Sequence, residues 1–260
     1  MAVRALGKPT GSQSFERAVA ILRIVASRAE GLGLSDIASE AGLKKATVHR
    51  LLRAMQREGF VDQDEVRRTY RLGPEMVTLG ALAASRFSIS KVAAGSLMRL
   101  SAASQDSVYL SVPRGADSVI LERIEGDFPI RTQVFQVGVR NPLGVGAGSL
   151  SMLATLPDVE IEEILAINAA RVQQRFPNYS LPTIRRLVKE ARLHGYALNE
   201  GLVLSGSWGV GAAVLDGHGR PVAALSVGAI EARLRPPRQA EIGELLRTEA
   251  RDLGAALARL

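Results

Sequence analysis

Leu34-Ser-Asp-Ile-Ala-Ser-Glu-Ala-Gly-Leu-Lys-Lys-Ala-Thr-Val-His-Arg-Leu-Leu52 reads as two short helices joined by a glycine turn. In the first, Ile37, Ala38 and Ala41 share a face at helical spacing, and Ser35 is the expected N-cap. Gly42 makes the turn, because a left-handed backbone is cheap only for glycine. The second helix is predicted from about Lys44 to Glu58, with Val48, Leu51, Leu52 and Met55 as an i, i+3, i+4, i+7 stripe. Its other faces carry Lys44, Lys45, Thr47, His49, Arg50, Arg53 and Arg57. A helix divided in this way can anchor one side in a core and offer the other to the phosphates and base edges of duplex DNA.

The flanks extend the reading. A helix over about Ser14 to Ala29 presents Val19, Leu22 and Ala26 and would close a three-helix core. Gly59 ends the second helix of the pair. Phe60-Val61 and Thr69 to Leu72 then bracket a polar turn, Asp62 to Arg68, which reads as a two-stranded wing. Arg67 and Arg68 would lie near its tip or in its second strand, beside a phosphate backbone, and Arg71 inside its base. A basic outer face alone is an ordinary solvated surface. Three helices, a glycine turn, a basic second helix and a wing, in that order, point to a nucleic-acid partner.

Charge agrees. The 260 residues carry a net charge of +7, and residues 1–73 hold 13 Lys and Arg against 8 Asp and Glu. The excess is therefore concentrated in the part that resembles a DNA reader. The absence of cysteine excludes disulfides, thiolate metal sites and a cysteine nucleophile, and three scattered histidines argue against a metal cluster. No cofactor or metal is expected. No apolar run approaches the length of a membrane span, and Met1 to Ser14 lacks the apolar centre of a signal peptide, so a cytoplasmic protein is expected. That N-terminal stretch reads as a flexible tail, with Arg4 and Lys8 available for weak phosphate contact.

Gly73-Pro74 is a break followed by a helix start, proline in the first turn. The pattern Met76, Leu79, Leu82, Ala83 predicts a linker helix to about Phe87, whose small apolar face (Leu79, Gly80, Ala83, Ala84) could meet a partner subunit or its own domain. A further helix is expected over Lys91 to Ser104. Strands are expected at Ser107 to Val112, Ser118 to Ile124, Ile130 to Phe135, Tyr196 to Asn199, Trp208 to Leu215 and Pro221 to Val227. Helices fall at Gly148 to Thr155, Asp158 to Ala169, Leu181 to Gly195 and Pro236 to Leu260. This mixed order implies a mostly antiparallel sheet with helices, an α+β chain. The expected division is a DNA-binding domain at 1–73, a linker helix at 74–90 and a sheet domain at 91–260.

Asn141-Pro-Leu-Gly-Val-Gly-Ala-Gly-Ser149 is glycine-rich and precedes a helix. Backbone N–H groups at such a start attract anions, although the loop lacks the lysine of a phosphate loop. It reads either as an effector site or as a flexible connection. Asp106, Asp117, Glu122, Glu125 and Asp127 could pair for acid–base work, yet they sit in turns or alternate along strands, which is a solvated face. No nucleophile elbow is present, and an enzyme is not expected.

The chain is identified by these stretches as similar to the IclR family of bacterial transcriptional regulators. Phe15 to Leu22 resembles the family's first helix, Ala46-Thr-Val-His-Arg-Leu-Leu52 its recognition helix (serine often stands at Ala46), and Tyr70 to Gly73 the end of its wing. Pro142-Leu143 with the glycine-rich loop, His194-Gly-Tyr196, Gly206, Ala213-Val214 and Ala223 to Ser226 resemble its C-terminal signature. The resemblance implies a winged helix-turn-helix domain joined by a linker helix to a GAF-like α/β effector domain. It also implies homodimers or homotetramers on palindromic double-stranded operators, as repressor or activator, under a small effector such as an organic or aromatic acid.

For DNA the residues in question are Lys44, Lys45, Thr47, His49, Arg50, Arg53, Arg67 and Arg68. For the effector the resemblance implies the N–H groups of Ala147 and Gly148, with Asn199, Gly209, Ser226 and Gly228, and the neighbouring Trp208 as a stacking wall. Asn199 stands where the family has aspartate, Gly209 where it has a larger hydrogen-bonding residue, and Gly228 where serine can occur. Two missing side chains suggest a wider, less polar pocket and an aromatic or bulkier acid. The rival reading is an architectural DNA binder whose second domain only oligomerises, but a sheet domain this large exceeds what an interface of about 20–30 residues a side requires.

Overall fold

The computed structural model describes residues 12–28, 30–84, 89–132 and 134–259. Arg4 and Lys8, and with them the expected tail, lie outside the described residues, as does the helix end near Phe87. The chain divides into two compact units, 1–88 and 89–260.

The first unit begins with α1 (Gln13–Val25), β1 (Leu32–Gly33), α2 (Leu34–Ala41) and α3 (Lys45–Arg57). The wing strands β2 (Val61–Gln63) and β3 (Thr69–Leu72) follow, and then α4 (Glu75–Ala84). Ile21, Ile24, Ile37, Val48 and Leu52 meet at its centre, each at most 1 % exposed. The inward face of α1 is therefore Ile21, Ile24 and Val25, whereas Val19 is half-buried and Ala26, expected inside, is exposed. The helix ends at Val25, four residues before the expected boundary, and Ser27 Oγ donates to the Ile24 carbonyl at its end, at 2.7 Å. The N-cap of α2 is the extended Gly33 rather than Ser35, whose side chain is exposed. Gly42 sits at φ +63°, as the turn requires. β1, not anticipated, adds a third strand: β1 and β2 both pair with β3, at Leu32↔Tyr70 and Gln63↔Tyr70. Tyr70 thereby becomes the buried hinge between wing and helices.

The second unit runs α5 (Ile89–Ser104), β4 (Ser107–Arg114), β5 (Asp117–Ile124), β6 (Arg140–Pro142), α6 (Ala147–Ala154), α7 (Asp158–Arg175) and α8 (Leu181–His194). It closes with β7 (Ala197–Leu204), β8 (Ser207–Leu215), β9 (Pro221–Ile230) and α9 (Arg238–Leu257). The six strands form one antiparallel sheet in the order β6-β5-β4-β9-β8-β7. One face, with Val108, Leu110, Val210, Ala212, Leu225 and Val227, packs on Leu97 and Leu100 of α5 and Leu246 and Leu253 of α9. The other is covered by α6, α7 and α8, where Leu150, Leu153, Leu165 and Ile184 are buried. All eight residues of α6 are buried, which its composition (no charge, small or apolar side chains) permits.

The expected strand at Ile130 to Phe135 does not form among the described residues. The edge of β5 is already taken: Ile120 N donates to Val139 O at 3.1 Å, Gly138 N to Ile120 O at 2.8 Å, and β6 pairs beyond. Thr132, Val134 and Phe135 instead border a cavity on the sheet. No described helix is long and apolar enough to cross a membrane.

Candidate DNA interface and effector cavity

On α3 the side opposite Val48, Leu51, Leu52 and Met55 carries Ala46, Arg50, Arg53 and Arg57, at i, i+4, i+7 and i+11. His49 flanks this row, and Lys45 lies one turn before it on the same edge. Thr47 falls on the opposite edge and is half-buried. Lys44 is the extended N-cap. Lys44, Lys45, His49, Arg50 and Arg53 are all exposed. Small Ala46 leaves backbone accessible at the start of the helix, and Arg57 extends the cationic row beyond the residues chosen from sequence.

The wing tip has an organiser that the sequence reading missed. Asp64 accepts from Val66 N (3.0 Å) and Arg67 N (2.9 Å) through Oδ1 and from Arg71 Nη2 (2.5 Å) through Oδ2. Those backbone N–H groups, Arg67 first, hold its carboxyl below the ordinary aspartate value. The turn then sets Arg67 and Arg68 outward, Arg68 with φ +55°. Arg71 is not inside the wing base: it is exposed and reaches across to Asp64, because Tyr70 takes the inward position of the strand. The available signal was an aspartate two residues before the turn's exposed N–H groups, an Asx-turn pattern.

In the second unit all seven residues named from the sequence border one cavity, together with Tyr109, Ser111, Ser118 and Asn141. Strand alternation puts Tyr109, Ser111, Ser118, Asn199, Gly209, Ser226 and Gly228 on the α6 face. The first turn of α6 lies over them, with the N–H groups of Ala147, Gly148 and Ser149 outside the intrahelical ladder. Close approach explains two glycines. A Cβ on Gly211 would sit 2.6 Å from Gly148 N, and one on Gly148 would sit 3.0 Å from Ser226 Oγ and 3.2 Å from Ser111 Oγ. Two serine hydroxyls thus converge beneath the helix start.

Three expectations about the cavity change. Trp208 borders it, but its side chain belongs to the opposite face of the sheet, where it packs with the α5–α9 core. Its strand partner Glu200 hydrogen-bonds Gln239 of α9 on that face. No stacking wall results, since a one-residue step along a strand reverses the side. Gly228 does not widen the pocket either: the Tyr109 ring fills the space, Cε2 lying 3.2 Å from where a Cβ would be. A cavity of about 50 Å³ remains. On a scale where one water takes about 10–15 Å³, that is room for roughly four water-sized groups. Thirdly, Asn199 is largely committed. Its Nδ2 donates to the Tyr179 hydroxyl and its Oδ1 accepts from Leu202 N at 3.1 Å. Tyr179, missed by the sequence reading, also accepts from Gly146 N at 3.0 Å and so braces the glycine-rich loop. Burial pushes its phenol well up, so it stays neutral and keeps a proton to donate.

Three of the five carboxylates considered for catalysis are held in ion pairs. Asp106 is buried, not solvated, between Arg233 (2.8 Å) and Arg238 (3.1 Å); Asp117 is bound by Arg171, and Glu125 by Arg123 and Arg131. Glu122 is half-buried and Asp127 exposed. No group of metal-binding side chains occurs among the described residues.

A winged helix-turn-helix with an exposed cationic helix, followed by a sheet domain with a small uncharged cavity, defines a ligand-responsive DNA-binding transcription regulator. Residues 14–65 match the IclR helix-turn-helix domain, and residues 81–255 the bacterial transcriptional regulator IclR C-terminal domain. The chain belongs to the IclR family and is a transcriptional regulator, not an enzyme. It is 32 % identical to the glycerol operon regulatory protein of Streptomyces coelicolor over 252 residues, 94 % of this chain and 97 % of that one. It is 28 % identical to the HTH-type transcriptional repressor AllR of Escherichia coli, over 95 % of this chain and 91 % of the relative. In fold it is similar to an IclR homolog of Microbacterium hydrocarbonoxydans solved with 4-hydroxybenzoate, at TM-score 0.75 and 21 % identity, covering 95 % and 100 % of the two chains.

Proposed function

We propose that the first unit docks α3 in the major groove of a palindromic operator. Ala46, His49, Arg50 and Arg53 face base edges, Lys44, Lys45 and Thr47 line the groove entrance, and Arg67 and Arg68 touch flanking phosphate. The observation that carries this is the row Arg50, Arg53, Arg57 opposite the buried stripe of α3, beside a wing tip set by Asp64. A functional division at 1–73, 74–90 and 91–260 accompanies the reading, with α4 joining two protomers into a homodimer or a pair of dimers in a cytoplasmic regulator. Val77, Leu79 and Leu82 of α4 are exposed at 75, 42 and 65 %, apolar area that a second copy would cover.

The effector is a small organic acid in the cavity, its carboxylate on the N–H groups of Ala147 and Gly148 with Ser226 beside them. Asn199 and Gly209 shape that end of the cavity. Gly228 and Trp208 contribute backbone only. The Microbacterium protein was solved with 4-hydroxybenzoate, and Val134 and Phe135 line this part of the cavity here. Effector binding alters DNA affinity only through unequal affinity for two arrangements of the readers.

A titration of the full-length protein against DNA upstream of its own gene, at two salt concentrations and with a panel of aliphatic and aromatic acids, tests this. Tight, salt-sensitive binding changed by an acid is expected. Specific binding that no small molecule alters would favour the architectural alternative, and a lack of specific binding to any genomic fragment would overturn the assignment of α3.

A further inference from the structure

We infer that the cavity takes a small hydroxylated aliphatic ligand, read by a row of neutral polar side chains that crosses four strands. The row is Ser226 on β9, Ser111 on β4, Ser118 on β5 and Asn141 on β6. The register makes it continuous: Tyr109 pairs with Ser226, Ser111 with Ile120, and Ser118 with Asn141, so each member is opposite or diagonal to the next. The opposite face of the same strands is apolar, with Val108, Leu110, Val112 and Val227. Polar character is therefore confined to the cavity side.

The Ser111 hydroxyl is the decisive member. Ser111 is 1 % exposed and its hydroxyl has no hydrogen-bond partner among the described residues, although leaving a buried hydroxyl unpaired is unfavourable. Ser118 and Asn141 are 3 and 5 % exposed, and no hydrogen bond ties either side chain to another described residue. Each hydroxyl, and the amide, both donates and accepts. A ligand hydroxyl both donates to and accepts from whichever of them it reaches, whereas a carboxylate satisfies donors only and a ring edge neither.

Charge narrows the class: none of the described lining residues is charged, so the row offers neutral donors and acceptors only. The shared chemistry is a hydroxylated carbon chain, as a free polyol or as the corresponding acid with its carboxylate under α6. The inference rests on the effector reading of this cavity.

The test is calorimetric titration and thermal shift of the full-length protein with glycerol, erythritol, xylitol, glycerate, xylonate and 4-hydroxybenzoate, each at low millimolar concentration. At least one hydroxylated probe is expected to bind and raise Tm, with polyols and acids separating the two sources. Ser111→Ala should weaken that probe about fivefold to tenfold, the loss of one neutral hydrogen bond. It should not lower Tm of the free protein, because it removes an unpaired buried group; a merely structural serine would do so. Asn141→Ala is the second variant and should weaken the longer probes more than glycerol. Binding of 4-hydroxybenzoate in preference to every hydroxylated probe, unchanged affinity in Ser111→Ala, or no binding of any hydroxylated probe would each overturn the inference. Operator binding released by an aromatic acid would overturn it while leaving the regulator reading intact.

Discussion

Single residues set how each site works. Arg50 stands at the middle of the exposed row of α3, whereas Arg71 acts only by holding Asp64. Arg50→Ala is expected to cost about 1–3 kcal/mol of operator binding and relax sequence preference. Arg71→Ala should cost less and lower affinity for all sequences alike. Fluorescence anisotropy on operator and scrambled duplexes checks this, and equal specific losses would contradict it. In the cavity, a methyl group on Gly148 would press on Ser226 Oγ and Ser111 Oγ at 3.0 and 3.2 Å. Gly148→Ala should therefore reduce effector affinity at least tenfold, read by calorimetry, while raising helix propensity by up to about 1 kcal/mol. Unchanged affinity would place the ligand elsewhere.

At the scale of elements, α5 and α9 are clamped by a two-pronged ion pair. Arg99 Nε and Nη2 donate to the Glu249 carboxylate at 2.8 and 2.7 Å, and that carboxylate is 9 % exposed. The Arg99 hydrogen bond holds the Glu249 carboxyl below the ordinary glutamate value. A lowered folded value means the contribution is complete above the unfolded value of about 4.3 and disappears as pH falls through the folded one. Arg99→Ala should thus lower the urea midpoint at neutral pH, and its gap from the parent protein should close under acid conditions. A gap independent of pH would show that the loss comes from packing of the arginine stem. The segment over 130–135 illustrates a different limit on elements. Its alternating residues suit a strand, but residues 138–142 already occupy the β5 edge, so Thr132, Val134 and Phe135 border the cavity instead.

At the scale of the whole molecule, seven cations of the first unit (Lys44, Lys45, Arg50, Arg53, Arg57, Arg67 and Arg68) stand exposed on α3 and the wing. If two protomers neutralise about six to ten phosphates, affinity should fall at least about a thousandfold between roughly 50 and 200 mM salt. A shallow slope in a salt titration would mean fewer contacts than the interface offers. The proposed association through α4 belongs to this scale too: if it forms the dimer, sedimentation of Leu79→Glu should show a smaller species than the parent protein, and an unchanged species would contradict it.

The sequence alone determined the DNA reader, because its signals are local: a 3.6-residue apolar period on α3, a glycine at the left-handed turn and a wing with basic residues at its tip. Family motifs extended that legibility to the glycine-rich loop and to positions around the cavity. Tertiary structure decided which side chains enter the cavity and what fills it. Both faces of the central sheet are buried, so β4 is buried from Ser107 to Val112; its alternation separates Ser107, Tyr109 and Ser111 from Val108, Leu110 and Val112 but does not say what covers either side. Strand alternation turned Trp208 away once Gly209 faced the cavity, and the packing of α9 on one side and α6 on the other laid Tyr109 over Gly228 and left Ser111, Ser118 and Asn141 facing the same space. Those residues come from positions 109 to 228 and meet through strand pairing, an order that neighbouring residues along the chain do not encode.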